Sequence, residues 1–170
     1  MDFEKLLEPF PVKKEAELIA QSIANNPKHM KALWEFAISN AENSWRASWL
    51  IDKVYDIAPE LVRPYLNDMI ALLPDLTNES KRRQFLKIIS LEPLSKNVSG
   101  KFINHCFDLL MANTTAIAIQ VYAMQTLYHF SRYEPDIQNE LALILQEKMD
   151  HGSAGFCSRA RKILKAISTN

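Results

Sequence analysis

The sequence predicts an all-α fold of the α-α superhelix (solenoid) class, with about four helical hairpins and a C-terminal helix. Four prolines, Pro27, Pro59, Pro93 and Pro135, recur at separations of 32, 34 and 42 residues. Each lies between two stretches in which apolar residues repeat at helical spacing. Glycine occurs only three times in 170 residues, and alternating runs of β-branched residues are few. Both features disfavour β-strands.

The first hairpin is predicted to contain a helix over about residues 12–24 and a second helix that runs to about Ala41. Pro27 is expected to open the second helix, because the N–H that proline lacks has no helical partner at the first position. Asn26 is the expected cap before it. The residues expected to face inward are Val12, Ala16, Ile19, Ala20, Ile23, Met30, Leu33, Ala37 and Ile38.

The second hairpin is expected to begin at the caps Asn43 and Ser44 and to turn at Pro59. Pro64 is expected near the start of the partner helix, because deeper inside it would remove a backbone hydrogen bond and kink the helix. The residues expected to face inward are Ala47, Leu50, Ile51, Val54, Ala58, Val62, Leu66, Met69, Ile70 and Leu73.

The third hairpin is expected to start at Asn78, with Pro93 after its first helix. The fourth starts near Asn113 or Thr114, and Pro135 opens its second helix. Its first helix is apolar almost all round, which is typical of a central helix contacted on several sides. The apolar residues all round this helix are Ile117, Ile119, Val121, Tyr122, Met124, Leu127 and Phe130, and the apolar residues of the other helices in these hairpins are Phe85, Leu86, Ile88, Ile89, Ile103, Cys106, Phe107, Leu110, Ile137, Leu141, Ile144 and Leu145.

Gly152 is expected to stop that helix, and a last helix then closes the predicted fold. Its inward residues are Ala160, Ile163, Leu164 and Ile167, and its outward residues are Arg159, Arg161, Lys162 and Lys165. Residues 1–170 are predicted to form one repeat domain, with 1–11 as a polar lead-in, because a single hairpin cannot bury its stripe without stacked neighbours. The charged residues of this lead-in are not typical of a signal peptide, so a cytoplasmic protein is expected.

Residues 57–66, with the sequence IAPELVRPYL, resemble the turn region of HEAT repeats, where a first helix ends at a proline and an apolar second helix follows. Residues 133–137 and 25–30 are similar. The resemblance covers about residues 12–167 and extends to armadillo-like superhelices. It implies a fold of stacked hairpins that binds other macromolecules along a concave surface.

The sequence contains no pattern typical of a catalytic, nucleotide or metal site. The motifs G-x-G-x-x-G, G-x-x-x-x-G-K and H-E-x-x-H are absent, and the four histidines are scattered. Cys106 follows His105, but adjacent helical residues point about 100° apart, so a core position is expected for Cys106 rather than a nucleophilic role. We therefore expect no enzymatic activity, no cofactor and no metal.

Eight residues are candidates for binding a macromolecule: Trp45, Arg46, Trp49, Arg82, Arg83, Lys101, Asn104 and Asp108. Arg46, Arg82 or Arg83, and Arg159 recur near the starts of first helices, which predicts a row of arginines. Tryptophan and arginine are favoured binding anchors. A tryptophan packed between repeats and an arginine bonded to a helix end explain the same pattern. The other outward positions of second helices are Lys28, Lys31, Glu35, Asn67 and Asn139.

A protein or peptide is the favoured partner, and no membrane partner is expected. Nucleic acid is a less favoured partner, since 20 basic residues balance 20 acidic ones. It is motivated by Arg46, Trp49, Lys81, Arg82 and Arg83 and by a loose similarity to HEAT-like DNA alkylation-repair glycosylases. The chain itself is expected to be a monomer or a homodimer.

Charge is also segregated along the sequence. Residues 52–79 contain six acidic and two basic residues, and residues 81–101 contain six basic residues and one acidic residue. The pattern predicts either two faces that attract each other or a charged binding groove.

Overall fold

The computed structural model describes residues 1–9 and 11–169, and every regular element in those residues is helical. Phe10 of the expected lead-in lies outside the described residues. The α-helices are α1 (Phe3–Leu6), α2 (Lys13–Asn25), α3 (His29–Ile38), α4 (Ser44–Ile57), α5 (Pro59–Val62), α6 (Leu66–Leu72), α7 (Glu79–Ile89), α8 (Gly100–Met111), α9 (Ile117–Ser131), α10 (Pro135–Met149) and α11 (Ala154–Ser168). The predicted all-α class is confirmed.

The chain divides into two compact units, the first from Met1 to Ile88 and the second from Ile89 onward. In the first unit, α4 packs against α2, α3 and α5, and α1 packs against α3. In the second unit, α9 packs against α8, α10 and α11. The prediction that the first helix of the fourth hairpin is central is therefore confirmed within its unit. A single repeat domain over the whole chain stays a prediction.

The predicted apolar stripes form most of the core. On α8, Ile103, Cys106, Phe107 and Leu110 are all buried, as the helical spacing predicts. The four basic residues expected on the outside of α11 are exposed: Arg159, Arg161, Lys162 and Lys165. Helical periodicity therefore identifies the buried faces of these helices correctly.

Three apolar residues of the predicted helices are exposed. Val12, Ile38 and Ile117 have 62%, 42% and 50% of their surface accessible, so the expected core positions of Val12 and Ile38 were wrong. Each lies at a helix end: Val12 is the residue before α2, Ile38 is the last residue of α3, and Ile117 is the first of α9. The spacing of apolar residues predicts the direction in which a side chain points. It does not predict whether the neighbouring helix extends far enough to bury a side chain at the helix end.

The prolines differ in their structural roles. Pro59 and Pro135 open α5 and α10, as predicted. Pro27 does not open a helix, because it lies in the turn between α2 and α3, where its carbonyl accepts a hydrogen bond from the Met30 N–H at 2.9 Å. Pro64 lies in a 3-10 turn that separates α5 from α6, so the predicted partner helix is divided in two. The missing N–H and the steric clash of proline explain this division.

The N-terminal segment contributes two residues to the core. Phe3, the first residue of α1, and Leu7, the residue that follows α1, are both buried. The charged residues Asp2, Glu4, Lys5 and Glu8 had predicted a polar lead-in, so the burial of these two side chains is a departure from the prediction. Local composition did not reveal that a single helical turn with two apolar side chains packs against α3.

Trp34 is a core residue that the sequence analysis did not single out. It is buried, and its ring lies 5.0 Å from the ring of Tyr65 and 5.5 Å from that of Phe85, measured between centroids. It therefore joins α3 to the 3-10 turn and to α7. Its spacing from Met30 and Ala37 matches the apolar stripe of α3, which is the signal that would have identified it.

The buried hydroxyl of Thr126 provides a test of packing in the second unit. Its Oγ1 atom has no hydrogen-bond partner among the described residues. Because an unsatisfied buried hydroxyl is unfavourable, we expect Thr126→Val to raise the free energy of unfolding by about 1 kcal/mol. Urea unfolding monitored by circular dichroism measures the change.

The matched control is Ser131→Ala on the same helix. The Ser131 hydroxyl is buried but donates to the Tyr128 carbonyl at 2.9 Å, so its removal is expected to lower the free energy of unfolding, by about 0.5–1.5 kcal/mol. A Thr126→Val protein that is less stable than the wild type would contradict the assignment.

Candidate macromolecule-binding surfaces

Arg46 lies in the first turn of α4 and binds the end of α1. Its Nη1 atom donates to the Leu7 carbonyl at 2.6 Å and also to the Glu8 carbonyl. Its guanidinium carbon lies 5.5 Å from the centroid of the Trp45 ring, and Trp45 and Trp49 are both half-buried. This geometry matches an arginine bonded to a helix end, and a binding role for the three residues stays a prediction.

The basic residues at the start of α7 also contact the backbone. Lys81 is a buried residue, and its ammonium group donates to the Ser39 carbonyl at 2.9 Å. Arg82 donates to the Leu76 carbonyl, whereas Arg83 is exposed. Of this basic run, Arg83 is therefore the residue whose side chain remains at the surface. The predicted row of arginines includes Arg159 of the second unit, so it stays a prediction.

The oppositely charged blocks of sequence meet in the first unit. Lys87 Nζ lies 2.6 Å from Asp52 Oδ1 and 3.9 Å from Asp56 Oδ1. Burial raises the pKa of the Asp52 carboxyl, while the hydrogen bond from Lys87 acts in the opposite direction. The contact between Asp52 and Lys87 supports the interpretation that the two blocks attract each other.

Lys101, Asn104 and Asp108 lie on one exposed face of α8, and the opposite face of that helix is buried in the second unit. Met111 continues this exposed face, because residues three and four apart lie above one another on a helix. The other outward positions predicted for second helices are also exposed: Lys28, Lys31, Glu35, Asn67 and Asn139. The prediction of outward position is confirmed for the whole set.

A groove of about 870 Å³ begins where this face of α8 ends. Met111, Ile117, Ile144 and Phe156 supply its apolar surface. Its polar residues are Asn113, Thr115, Gln120, Glu147, Lys148, His151 and Ser153, and Gly152 completes the lining. The groove thus combines apolar surface with several polar groups, a combination common in ligand-binding sites.

Two side chains hold the turn between α8 and α9 that forms one wall of the groove. Lys148 Nζ donates to the Met111 carbonyl at 3.0 Å and lies 3.3 Å from Asn113 Oδ1. Gln120 Nε2 donates to the carbonyls of Ala112 and Thr115, each at 3.0 Å. Because these bonds fix a turn without regular structure, the groove is pre-formed.

Gly152 forms part of the other wall, between α10 and α11. A Cβ atom at this position would lie 2.9 Å from Phe156 Cδ1 and 3.0 Å from the Lys148 carbonyl oxygen. Glycine is therefore required by the close approach of chain segments and not by its backbone angles. The predicted role of Gly152 after the helix is consistent with this position.

A smaller recess of about 220 Å³ lies elsewhere on the second unit. It is lined by Ser90, Leu91, Val121, Tyr122, Gln125, His129 and Arg159. Arg159 Nη1 donates to Gln125 Oε1 at 3.1 Å, and Gln125 Nε2 lies 2.9 Å from His129 Nε2. Sequence reasoning singled out Arg159 but not its neighbours Gln125 and His129, which lie one helical turn apart on α9.

Cys106 is a fully buried core residue, as predicted. Burial raises the pKa of its thiol far above the ordinary value, so the thiol is protonated at neutral pH and is not a nucleophile. The described residues also contain no group of three or more histidine, cysteine, aspartate or glutamate side chains arranged to hold a metal ion.

The family model for the HEAT repeat domain matches residues 3–167, which is nearly the whole chain. The resemblance drawn from the proline-marked turns and the predicted α-α solenoid class are confirmed by this match. No curated protein matches the chain significantly. Across the part of the chain that the structure describes, no helix has both the length and the apolar character needed to cross a bilayer.

The pair formed by Asp52 and Lys87 predicts an asymmetric response to mutation. Lys87→Met leaves the Asp52 carboxylate buried with Lys53 3.9 Å away, and we expect a loss of about 2–4 kcal/mol at neutral pH. Asp52→Asn leaves Lys87 partly exposed and able to reach water, so a smaller loss of about 1–2 kcal/mol is expected. Urea unfolding followed by tryptophan fluorescence compares the two.

The effect of pH on the stability that Asp52 contributes can be given a direction from its raised pKa. Because burial raises the pKa of Asp52 in the folded protein above the unfolded value of 3.8, its protonation favours folding, and this contribution is lost as pH rises through the folded pKa. The loss caused by Lys87→Met should therefore shrink as pH is lowered from 7, because protonation of Asp52 removes the buried charge that the variant leaves uncompensated. Asp52→Asn removes the titrating group and serves as the control. A loss that grows at low pH would contradict this account.

Proposed function

The chain belongs to the HEAT repeat family, and from that premise we propose that it is a non-catalytic scaffold that binds a protein or peptide. The proposed binding surface is the exposed face of α8 together with the adjoining groove. The observation that supports it most is their continuity, since Met111 belongs to both. HEAT repeats are mostly interaction scaffolds, which is the role that the resemblance implies for this chain.

The two parts of this surface differ in chemistry. Lys101, Asn104 and Asp108 offer polar contacts of both charges and no large apolar area. Met111 and Ile117, in contrast, are about half exposed and line the groove. Apolar anchors in a pocket supply most of the affinity in many interfaces, while polar residues at the rim add specificity. A partner should therefore insert apolar side chains beside Ile117 and lay a polar segment along α8.

The length of the exposed face of α8 suits a short extended peptide. Residues 101 and 111 on α8 are separated by about 15 Å along the helix axis. An extended chain advances about 3.3 Å per residue, so about five peptide residues span this face before they reach the groove. We expect moderate affinity, because one pocket with a short polar approach gives a small interface.

Nucleic acid receives no support as an alternative partner. Lys81, Arg46 and Arg82, three of the residues that motivated it, donate hydrogen bonds to carbonyls of their own chain. Balanced overall charge adds no general attraction to phosphates.

A second proposed protein-binding surface lies on the first unit and consists of Trp45, Arg46, Trp49, Arg82 and Arg83. A cytoplasmic location and a monomeric or homodimeric state are part of the same proposal.

Selection from a displayed random-peptide library tests the function. Peptides selected on the wild-type protein should bind Ile117→Asp at least about tenfold more weakly, because a carboxylate replaces an apolar anchor. Aspartate suits the first turn of a helix, so α9 should still fold, and circular dichroism checks this. Fluorescence polarisation with labelled peptides measures the dissociation constants.

Leu143→Asp is the matched control. Leu143 lies on α10 of the same unit and is 68% exposed but does not line the groove. Peptides should bind this variant as they bind the wild type. The proposal fails if no peptide is selected above background, or if the selected peptides bind the Ile117 and Leu143 variants equally well.

A further inference from the structure

We infer that the smaller recess on the second unit receives a glutamate side chain supplied by a protein partner. The recess is defined by Ser90, Leu91, Val121, Tyr122, Gln125, His129 and Arg159. This inference rests on the proposed scaffold function and names the chemistry of one partner residue. It concerns a site separate from the groove, since the two share no lining residue.

The charge of the recess selects for an anion. No carboxylate is among its lining residues, and Arg159 has no carboxylate within 4.0 Å in the described part of the chain. Arg132, Arg161 and Lys162 are exposed basic residues of the same unit. An exposed arginine at the edge of a concave site, with no carboxylate in the lining, attracts a carboxylate and matches its geometry.

The hydrogen bonds within the recess orient its donors. A guanidinium group can only donate, so the Gln125 atom that faces Arg159 is the carbonyl oxygen. The Gln125 amide nitrogen therefore faces His129 Nε2, which accepts the bond. Burial, together with the positive charge of Arg132, lowers the pKa of His129, while its hydrogen bond to the Ser90 backbone acts in the opposite direction. A neutral histidine in this position leaves the remaining N–H groups of Arg159 as the main donors toward a ligand.

The size and walls of the recess favour a glutamate side chain. Its volume is below the roughly 300 Å³ at which sites for small-molecule ligands begin, and it suits a single side chain. Leu91, which is 54% exposed, and Val121 provide apolar wall beside the polar end. The two methylene groups of glutamate can contact this wall. A chain-terminal carboxylate would instead bring a peptide N–H against apolar atoms that cannot accept its hydrogen bond.

Three capped or partly capped pentapeptides test the inference by NMR on isotopically labelled protein. The first is acetyl-Ala-Leu-Glu-Leu-Ala-amide, the second has glutamine in place of glutamate, and the third is the glutamine peptide with a free C-terminal carboxylate. Only the first should shift the His129 ring and Arg159 Nε–H signals in a saturable manner, with an affinity at least about tenfold above that of the others. Arg159→Gln should reduce its affinity to that of the glutamine peptide.

Arg161→Gln is the control, because Arg161 is exposed on the same helix but does not line the recess. Equal affinity of the glutamate and glutamine peptides would overturn the inference, as would equal loss in both arginine variants. Stronger shifts of the same signals by a single-stranded oligothymidine would also overturn it in favour of phosphate binding. If the glutamate pentapeptide shows no saturable binding that depends on Arg159 while the library peptides still require Ile117, the scaffold function stands and the glutamate site alone is refuted.

Discussion

The structure depends on two helices, α4 and α9, whose apolar residues are covered by several neighbouring helices rather than by one. α4 in the first unit and α9 in the second each pack against three other helices. The fully buried residues Leu50, Ile51 and Val54 on α4, and Ala123, Met124 and Leu127 on α9, follow from these positions. Burial of apolar area is the main favourable term in folding, so these two helices and the helices that pack against them provide much of the core of each unit.

Three long basic side chains satisfy carbonyl groups at the ends of helices. The last carbonyls of a helix have no partner within it, and many helices end in a glycine that solves this problem. This chain has three glycines, and long cationic side chains serve instead. Arg46 binds the carbonyl after α1, Lys81 the one after α3, and Lys148 the last one of α8. Basic residues that look like a nucleic-acid surface in sequence therefore have a structural use.

The periodicity of the sequence predicted which side of each helix is buried. It did not predict the exposure of residues at helix ends or the surfaces formed by residues distant in sequence. The buried face of α8 and the exposed Lys101, Asn104 and Asp108 follow from spacing alone. The exposure of Ile117 does not, because it depends on where the turn between α8 and α9 leaves the first residue of α9 uncovered. The groove was likewise unpredictable, since it requires four helix ends to meet, whereas sequence spacing describes one helix at a time.

Arg159 differs from the other arginines that the sequence singled out. Arg46 and Arg82 reach backbone carbonyls, which compensates for a missing hydrogen bond in the fold. Arg159 reaches the Gln125 side chain at 3.1 Å from an exposed position, and α11 already has its N-terminal cap in Ser153. An exposed polar contact of this kind contributes little to stability. The contact with Gln125 therefore fixes the guanidinium at the edge of the recess without capping a helix, and this geometry is what the inferred anion site depends on.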